Sequence, residues 1–149
     1  MVALSLFLSL ISPAFSCIPT RSPTTKPPCC PMLSTTSLPR RAPTNLDTYE
    51  QCSILRRMSS TCPIDGIVFC EAAPDTNPAG MQIQFFNAAG NVVRTVTTAG
   101  DSLAVKVTCW NGVFTVLSGG INVPITSVSC AQTGSQGLDD GYVLGSAIS

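Results

Sequence analysis

Leu103-Ala104-Val105-Lys106-Val107-Thr108-Cys109-Trp110-Asn111-Gly112-Val113 is the stretch that decides the fold class of this chain. Leu103, Val105, Val107 and Cys109 fall on one side of a period of two. Ala104, Lys106, Thr108 and Trp110 fall on the other, the pattern of a strand with one face on a core. Asn111-Gly112 follows directly, and this dipeptide tolerates the two positive-φ positions of a type I′ turn. The stretch predicts a strand, a two-residue hairpin and a return strand over 113–118.

The same texture extends in both directions. Residues 67–71 form a short β-branched and aromatic run carrying Cys70, and 74–80 are a turn-rich loop with two prolines. Met81-Gln82-Ile83-Gln84-Phe85 alternates, which sets Met81, Ile83 and Phe85 towards a core and Gln82 and Gln84 towards water. Asn87 to Gly90 closes a hairpin onto a return strand over 91–98. Gly119-Gly120 leads to a last strand over 122–130, where Pro124 implies an edge position or a bulge. Residues 52–58 read as a turn or two of helix, or a loop. No segment of helical length shows a 3.6-residue apolar period. Six short strands at this spacing predict an all-β fold: a small disulfide-stapled antiparallel β-sandwich, immunoglobulin-like or a partly open barrel.

The start of the 149-residue chain is of a different kind. The apolar run over 2–11 is too short to span a bilayer, Pro13 breaks a helix, and Ala14-Phe15-Ser16 places small residues three and one before a cut. Residues 1–16 therefore read as a secretory signal peptide, ahead of a buried N-terminal helix or a lipid-anchored Cys17. Residues 17–50 form a Pro/Thr/Ser-rich leader containing Cys29-Cys30; 18–48 alone hold seven prolines and ten Ser/Thr residues. Such a segment has few apolar groups with which to offset its ordering entropy and is expected to stay extended or disordered. Comparable segments of secreted proteins carry O-glycans, and there is no Asn-x-Ser/Thr sequon. The cysteine-stapled β domain is then 51–130, and 131–149 is a glycine-containing tail expected to be flexible. Its polarity fits neither a membrane span nor a GPI signal.

All eight cysteines, Cys17, Cys29, Cys30, Cys52, Cys62, Cys70, Cys109 and Cys130, lie beyond the cut. An even number in a secreted chain reads as cystines. The competing reading is zinc, but there is no histidine and no Cys-x2-Cys pair. Eight cysteines allow 105 connectivities; Cys62–Cys130 and Cys70–Cys109 would staple the sandwich, with Cys52 reaching back to Cys29 or Cys30. Each link of this kind contributes about 2–4 kcal/mol.

Ordered along the chain, Ser16-Cys17-Ile18-Pro19-Thr20, Cys29-Cys30-Pro31 and Thr61-Cys62-Pro63 precede Val107-Thr108-Cys109 and a terminal Ile125-Thr126-Ser127-Val128-Ser129-Cys130. In these words the chain resembles the nematode six-cysteine extracellular domain family, small secreted proteins with no assigned activity. The resemblance runs nearly to Cys130 and implies an extracellular disulfide domain with no catalytic residues to transfer. Two of the eight cysteines fall outside a six-cysteine set.

Composition narrows the chemistry. Charged residues make up 11% of the chain and the formal net charge is zero. No basic patch can neutralise a nucleic-acid backbone, and no polybasic run suits an anionic membrane surface. Without histidine, Ser-His-Asp and Cys-His systems are impossible within the chain. The acids Asp47, Glu50, Asp65, Glu71, Asp75, Asp101, Asp139 and Asp140 fall mostly in turns, where Asp is favoured for its side-chain hydrogen bonds. Asp139-Asp140 reads as solvated tail charge before a weak calcium site, and Gly119-Gly120 lacks the Lys-Ser/Thr of a phosphate loop. Trp110 is either an exposed platform beside the turn or, by preference, a cover for the sandwich edge.

No catalytic residue, cofactor or metal is expected. The partner class left open is an extracellular protein or glycan of unknown identity, met by a non-enzymatic structural or recognition module. The alternatives are a protease inhibitor or defence effector presenting the Arg56-Arg57 segment or the 74–80 loop, and a precursor processed at Arg40-Arg41.

Overall fold

A computed structural model of the chain describes residues 28–134 in full and residues 136–137 for the backbone alone. The expected signal segment, Cys17 and the tail acids Asp139 and Asp140 lie outside these residues. Ten strands and no helix occur among the described residues: β1 (Ile54–Ser59), β2 (Asp65–Glu71), β3 (Thr76–Asn77), β4 (Gly80–Phe86), β5 (Val92–Ala99), β6 (Ser102–Trp110), β7 (Val113–Ser118), β8 (Ile121–Pro124), β9 (Ser127–Thr133) and β10 (Gln136–Gly137). They form a five-stranded sheet in the order β1-β2-β6-β7-β8, a three-stranded sheet in the order β5-β4-β9, and the small β10-β3 pair. All strand pairs are antiparallel, and the two main sheets stack without closing into a barrel.

The hairpin expected around Asn111-Gly112 forms. Asn111 and Gly112 both have positive φ, 49° and 79°, and Trp110 pairs with Val113 across them. Inward residues of the five-stranded sheet are Val68 and Cys70 on β2, Val105 and Val107 on β6, and Phe114 and Val116 on β7; Met81, Ile83, Phe85, Val128 and Cys130 meet them from the other sheet. The expected final strand over 122–130 is two strands in different sheets. Pro124, lacking an N–H, ends β8 at the sheet edge. Ile125 N–H then bonds to Phe114 O and Thr126 N–H to Phe86 O, so the chain crosses between sheets there. The segment expected as helix or loop over 52–58 is instead mostly the edge strand β1. Its alternation (Leu55, Arg57 and Ser59 against Ile54, Arg56 and Met58) is realised by pairing with β2.

The larger departure concerns the leader and the outer face of the three-stranded sheet. Residues 28–50 are packed against the domain: Cys30, Leu33 and Leu38 are buried in the same core cluster as the strands. The reason is covalent and polar. Cys29 and Cys30 are bonded to Cys62 and Cys109, and the segment then lies along the free edge of β9. Arg41 N–H donates to Val128 O, Val128 N–H to Pro39 O, and Glu50 and Gln132 exchange both backbone bonds. Between these bridges, residues 41–49 cross the outer face of β4. That is why Gln84, expected to face water, is 5% exposed; Gln82, expected to face water as well, is 3% exposed. The Gln84 side chain accepts from Thr44 N–H at 2.9 Å and donates to Thr44 Oγ1 at 3.0 Å, while the Arg41 guanidinium sits 4.1 Å from the Phe86 ring centroid.

The leader's contribution to the core is directly measurable. Leu38→Ala is expected to lower unfolding stability by about 2–4 kcal/mol in urea titration, as for other fully buried leucines. Leu46→Ala, at an exposed position of the same segment, is expected to change it by less than about 0.5 kcal/mol.

Candidate functional site

Six of the eight cysteines pair as Cys29–Cys62, Cys30–Cys109 and Cys70–Cys130. The expected Cys62–Cys130 and Cys70–Cys109 links do not form, and Cys52 reaches neither Cys29 nor Cys30. Cys109 points into the core at the Asn-Gly end of β6, where the incoming leader delivers Cys30; Cys70 instead faces Cys130 across the gap between the sheets. Cys52 is exposed and has no cystine partner among the described residues. Its thiol lies 3.7 Å from Glu50 Oε2. Burial of the sulfur, then the Glu50 charge, pushes its pKa above the ordinary thiol value, opposite to what a reactive cysteine needs.

The dibasic pairs are built into the fold. Arg40 Nη1 donates to Ser53 O at 2.9 Å, and Nη2 donates to Gln51 O and Cys130 O, each at 2.8 Å. Burial and then the neighbouring Arg57 lower its pKa, but a guanidinium stays protonated. Arg57 Nε donates to Leu38 O. Arg56, on the outer face of β1, pairs with Glu71 and lies 5.7 Å from the Phe69 ring centroid. These arginines join strands and leader, which a reading of charge along the chain could not reveal.

The acids stay apart. Asp65 pairs with Lys106 at 2.8 Å, Glu71 with Arg56, and Asp75 sits in the 74–80 loop with φ of 59°. No group of three or more Cys, Asp or Glu side chains that could hold a metal occurs among the described residues. Trp110 is 64% exposed beside its turn and does not cover the sandwich edge.

The concave feature with mixed chemistry is one that the sequence did not indicate. β6 and β7 pair only over Thr108–Trp110. Towards the start of β6 the two diverge, because β7 leans onto β5: Arg94 donates to Leu117 O, and Ser118 Oγ donates to Val93 O at 2.7 Å. The split leaves a cleft of about 440 Å³ lined by Arg94, Val96, Ala104, Lys106, Leu117 and Asn122 among others. Two cations reach it. Lys106 is paired with Asp65, while Arg94 has no carboxylate partner among the described residues. The only signal available beforehand was the less regular alternation of 91–98, which carries no information about a cleft.

No protein-family model matches the chain, and no curated protein or solved structure searched is similar to it. Among the described residues, no helix is long and apolar enough to cross a membrane.

The raised Cys52 pKa has a testable sign. In a Cys17→Ser variant, where Cys52 cannot pair with Cys17, iodoacetamide labelling is expected to rise with pH along a midpoint above that of a free thiol. Glu50→Gln removes a charge that opposes the thiolate, so it lowers the midpoint and speeds labelling at pH 8 by roughly twofold to fivefold. A midpoint unmoved by Glu50→Gln would contradict the assignment.

Proposed function

We propose that this chain is a secreted, non-enzymatic extracellular module with a structural or recognition role, of the kind implied by its resemblance to the nematode six-cysteine extracellular domain family. The observation that carries the reading is the set of three cystines. Two of them fasten the leader, one to the β1–β2 connection and one to β6, and the third joins the two sheets through the core. Such bonds persist in oxidising compartments and are rare in the cytosol. The signal-like segment 1–16 points the same way, as do the cysteine-centred words Cys29-Cys30-Pro31 and Thr61-Cys62-Pro63 that carry the resemblance.

The geometry lends no support to a processed precursor. The Arg40-Arg41 backbone is bridged to Val128 and the Arg40 side chain holds three carbonyls, whereas a processing protease takes an exposed, mobile segment. The Arg56-Arg57 pair lies on β1, paired with β2, which is no protruding inhibitory loop.

Expression of the whole chain in a secreting eukaryotic cell tests the reading. The medium is expected to contain protein beginning at Cys17, with a mass that rises on reduction by two hydrogens per cystine. Peptide mapping is expected to return Cys29–Cys62, Cys30–Cys109 and Cys70–Cys130. Retention inside the cell with free thiols throughout would sink the reading. So would turnover of a hydrolase substrate panel that is lost on substitution of a single acid.

A further inference from the structure

We propose that the cleft between β6 and β7 is a peptide-docking site, in which an extended, acidic segment of a partner protein adds as a strand to the bare edge of β6. This rests on the recognition reading above and gives it a place and a ligand class.

The backbone of β6 sets the geometry. Cys109 N–H donates to Ile64 O, and Asp101 O accepts from Ala72 N–H, so the odd-numbered residues of β6 turn their N–H and C=O towards β2. In an antiparallel strand these groups alternate between the two edges. The even-numbered residues therefore point the other way. Thr108 and Trp110 meet β7, but Ala104 and Lys106 lie beyond the end of that ladder and line the cleft. Among the described residues, no strand pairs with these two N–H and two C=O groups. Proteins usually blunt such edges or use them to bind an extended segment. This chain shows the first solution at β9, whose edge the leader covers with backbone bonds at Val128 and Gln132. No equivalent cover reaches β6 among the described residues.

The side chains select the occupant. Arg94 spends one N–H on Leu117 O and has no carboxylate partner among the described residues. Lys106 has a single acid, Asp65, on the outer face. No acid lines the cleft among the described residues, so its charge complements a carboxylate, which a guanidinium can take with paired hydrogen bonds. Val96 and Leu117 add apolar walls. The volume of about 440 Å³ suits a stretch of a few residues rather than a folded element. Among the described residues, a stacking aromatic of the kind that favours a sugar ring is missing from the lining, since Trp110 stands at the hairpin end outside it.

The test uses the full secreted chain and a displayed library of random nonapeptides. Enriched sequences are expected to carry acidic residues and to bind at the order of 10–100 μM. In the free protein the Ala104 and Lys106 amides are expected to exchange rapidly with deuterium, and bound peptide is expected to slow both. Arg94→Gln is expected to weaken binding roughly fivefold. Because Arg94 also contacts Leu117, Lys106→Gln serves as a second variant with a smaller effect in the same direction. N-methylation of alternate peptide amides, which leaves the protein untouched, is expected to weaken binding about tenfold or more. Amides of Ala104 and Lys106 that are already protected in the free chain would overturn the proposal. Enriched peptides without acids, or ones that protect another surface, would also overturn it while leaving a recognition role standing. A library yielding no binder overturns it as well, as does a sulfated oligosaccharide probe that occupies the cleft where peptides do not. Only intracellular retention or catalytic turnover would remove the broader reading.

Discussion

The Cys70–Cys130 bond is the constraint on which the remaining structure depends. It joins β2 of one sheet to β9 of the other, and both cysteines are fully buried. The two apolar faces are held in register at that point. Val68 and Cys70 lie against Ile83 and Cys130, and the Ser53 hydroxyl, 3.1 Å from the Cys130 sulfur, donates to Cys130 O at 2.7 Å. A bond spanning 60 residues removes chain entropy from the unfolded state worth about 4 kcal/mol on the loop-closure account. For a sandwich with few aromatic side chains, that is a substantial part of a net stability of about 5–15 kcal/mol.

With the sheets fixed, the leader becomes part of the architecture. Cys29 and Cys30, adjacent in sequence, are bonded to two different elements: one before β2 and one on β6. This pins the start of the segment at one end of the sandwich. From there Leu33 and Leu38 enter the core, Arg40 caps the carbonyls of Gln51, Ser53 and Cys130, and the chain passes over Gln84 and Phe86. A proline-rich, hydroxyl-rich stretch is poor at building a core by itself. It serves well as a cover, because its free backbone donors and acceptors can satisfy a strand edge that would otherwise be bare.

The same competition for edges explains the asymmetry between the two sides of the sandwich. On the β9 side the leader supplies the missing partner. On the opposite side β7 abandons β6 to lean on β5, held there by Arg94 and Ser118, and among the described residues no strand pairs with the first half of β6 on that side. Pro124 belongs to the same compromise: by ending β8 it lets the chain cross to β9, which keeps Val128 and Cys130 in the core at the expense of a longer five-stranded sheet.

How much of this was legible in the residues follows from the range of the interactions concerned. Alternation is local, so the strand at 103–110, the Asn111-Gly112 turn and the inward set Met81, Ile83 and Phe85 were readable directly. So was the edge character of Pro124, since a residue without an N–H cannot serve a central ladder. The sequence by itself also determined the all-β class. Only the tertiary structure decided which cysteines meet, because pairing depends on which β-carbons the two sheets bring within reach, not on spacing. It likewise decided that Gln84 is covered, since it is held by Thr44, 40 residues away along the chain. The cleft beside β6 arises where two strands part, a property of the sheet's twist and its long-range contacts, to which no single stretch of residues points.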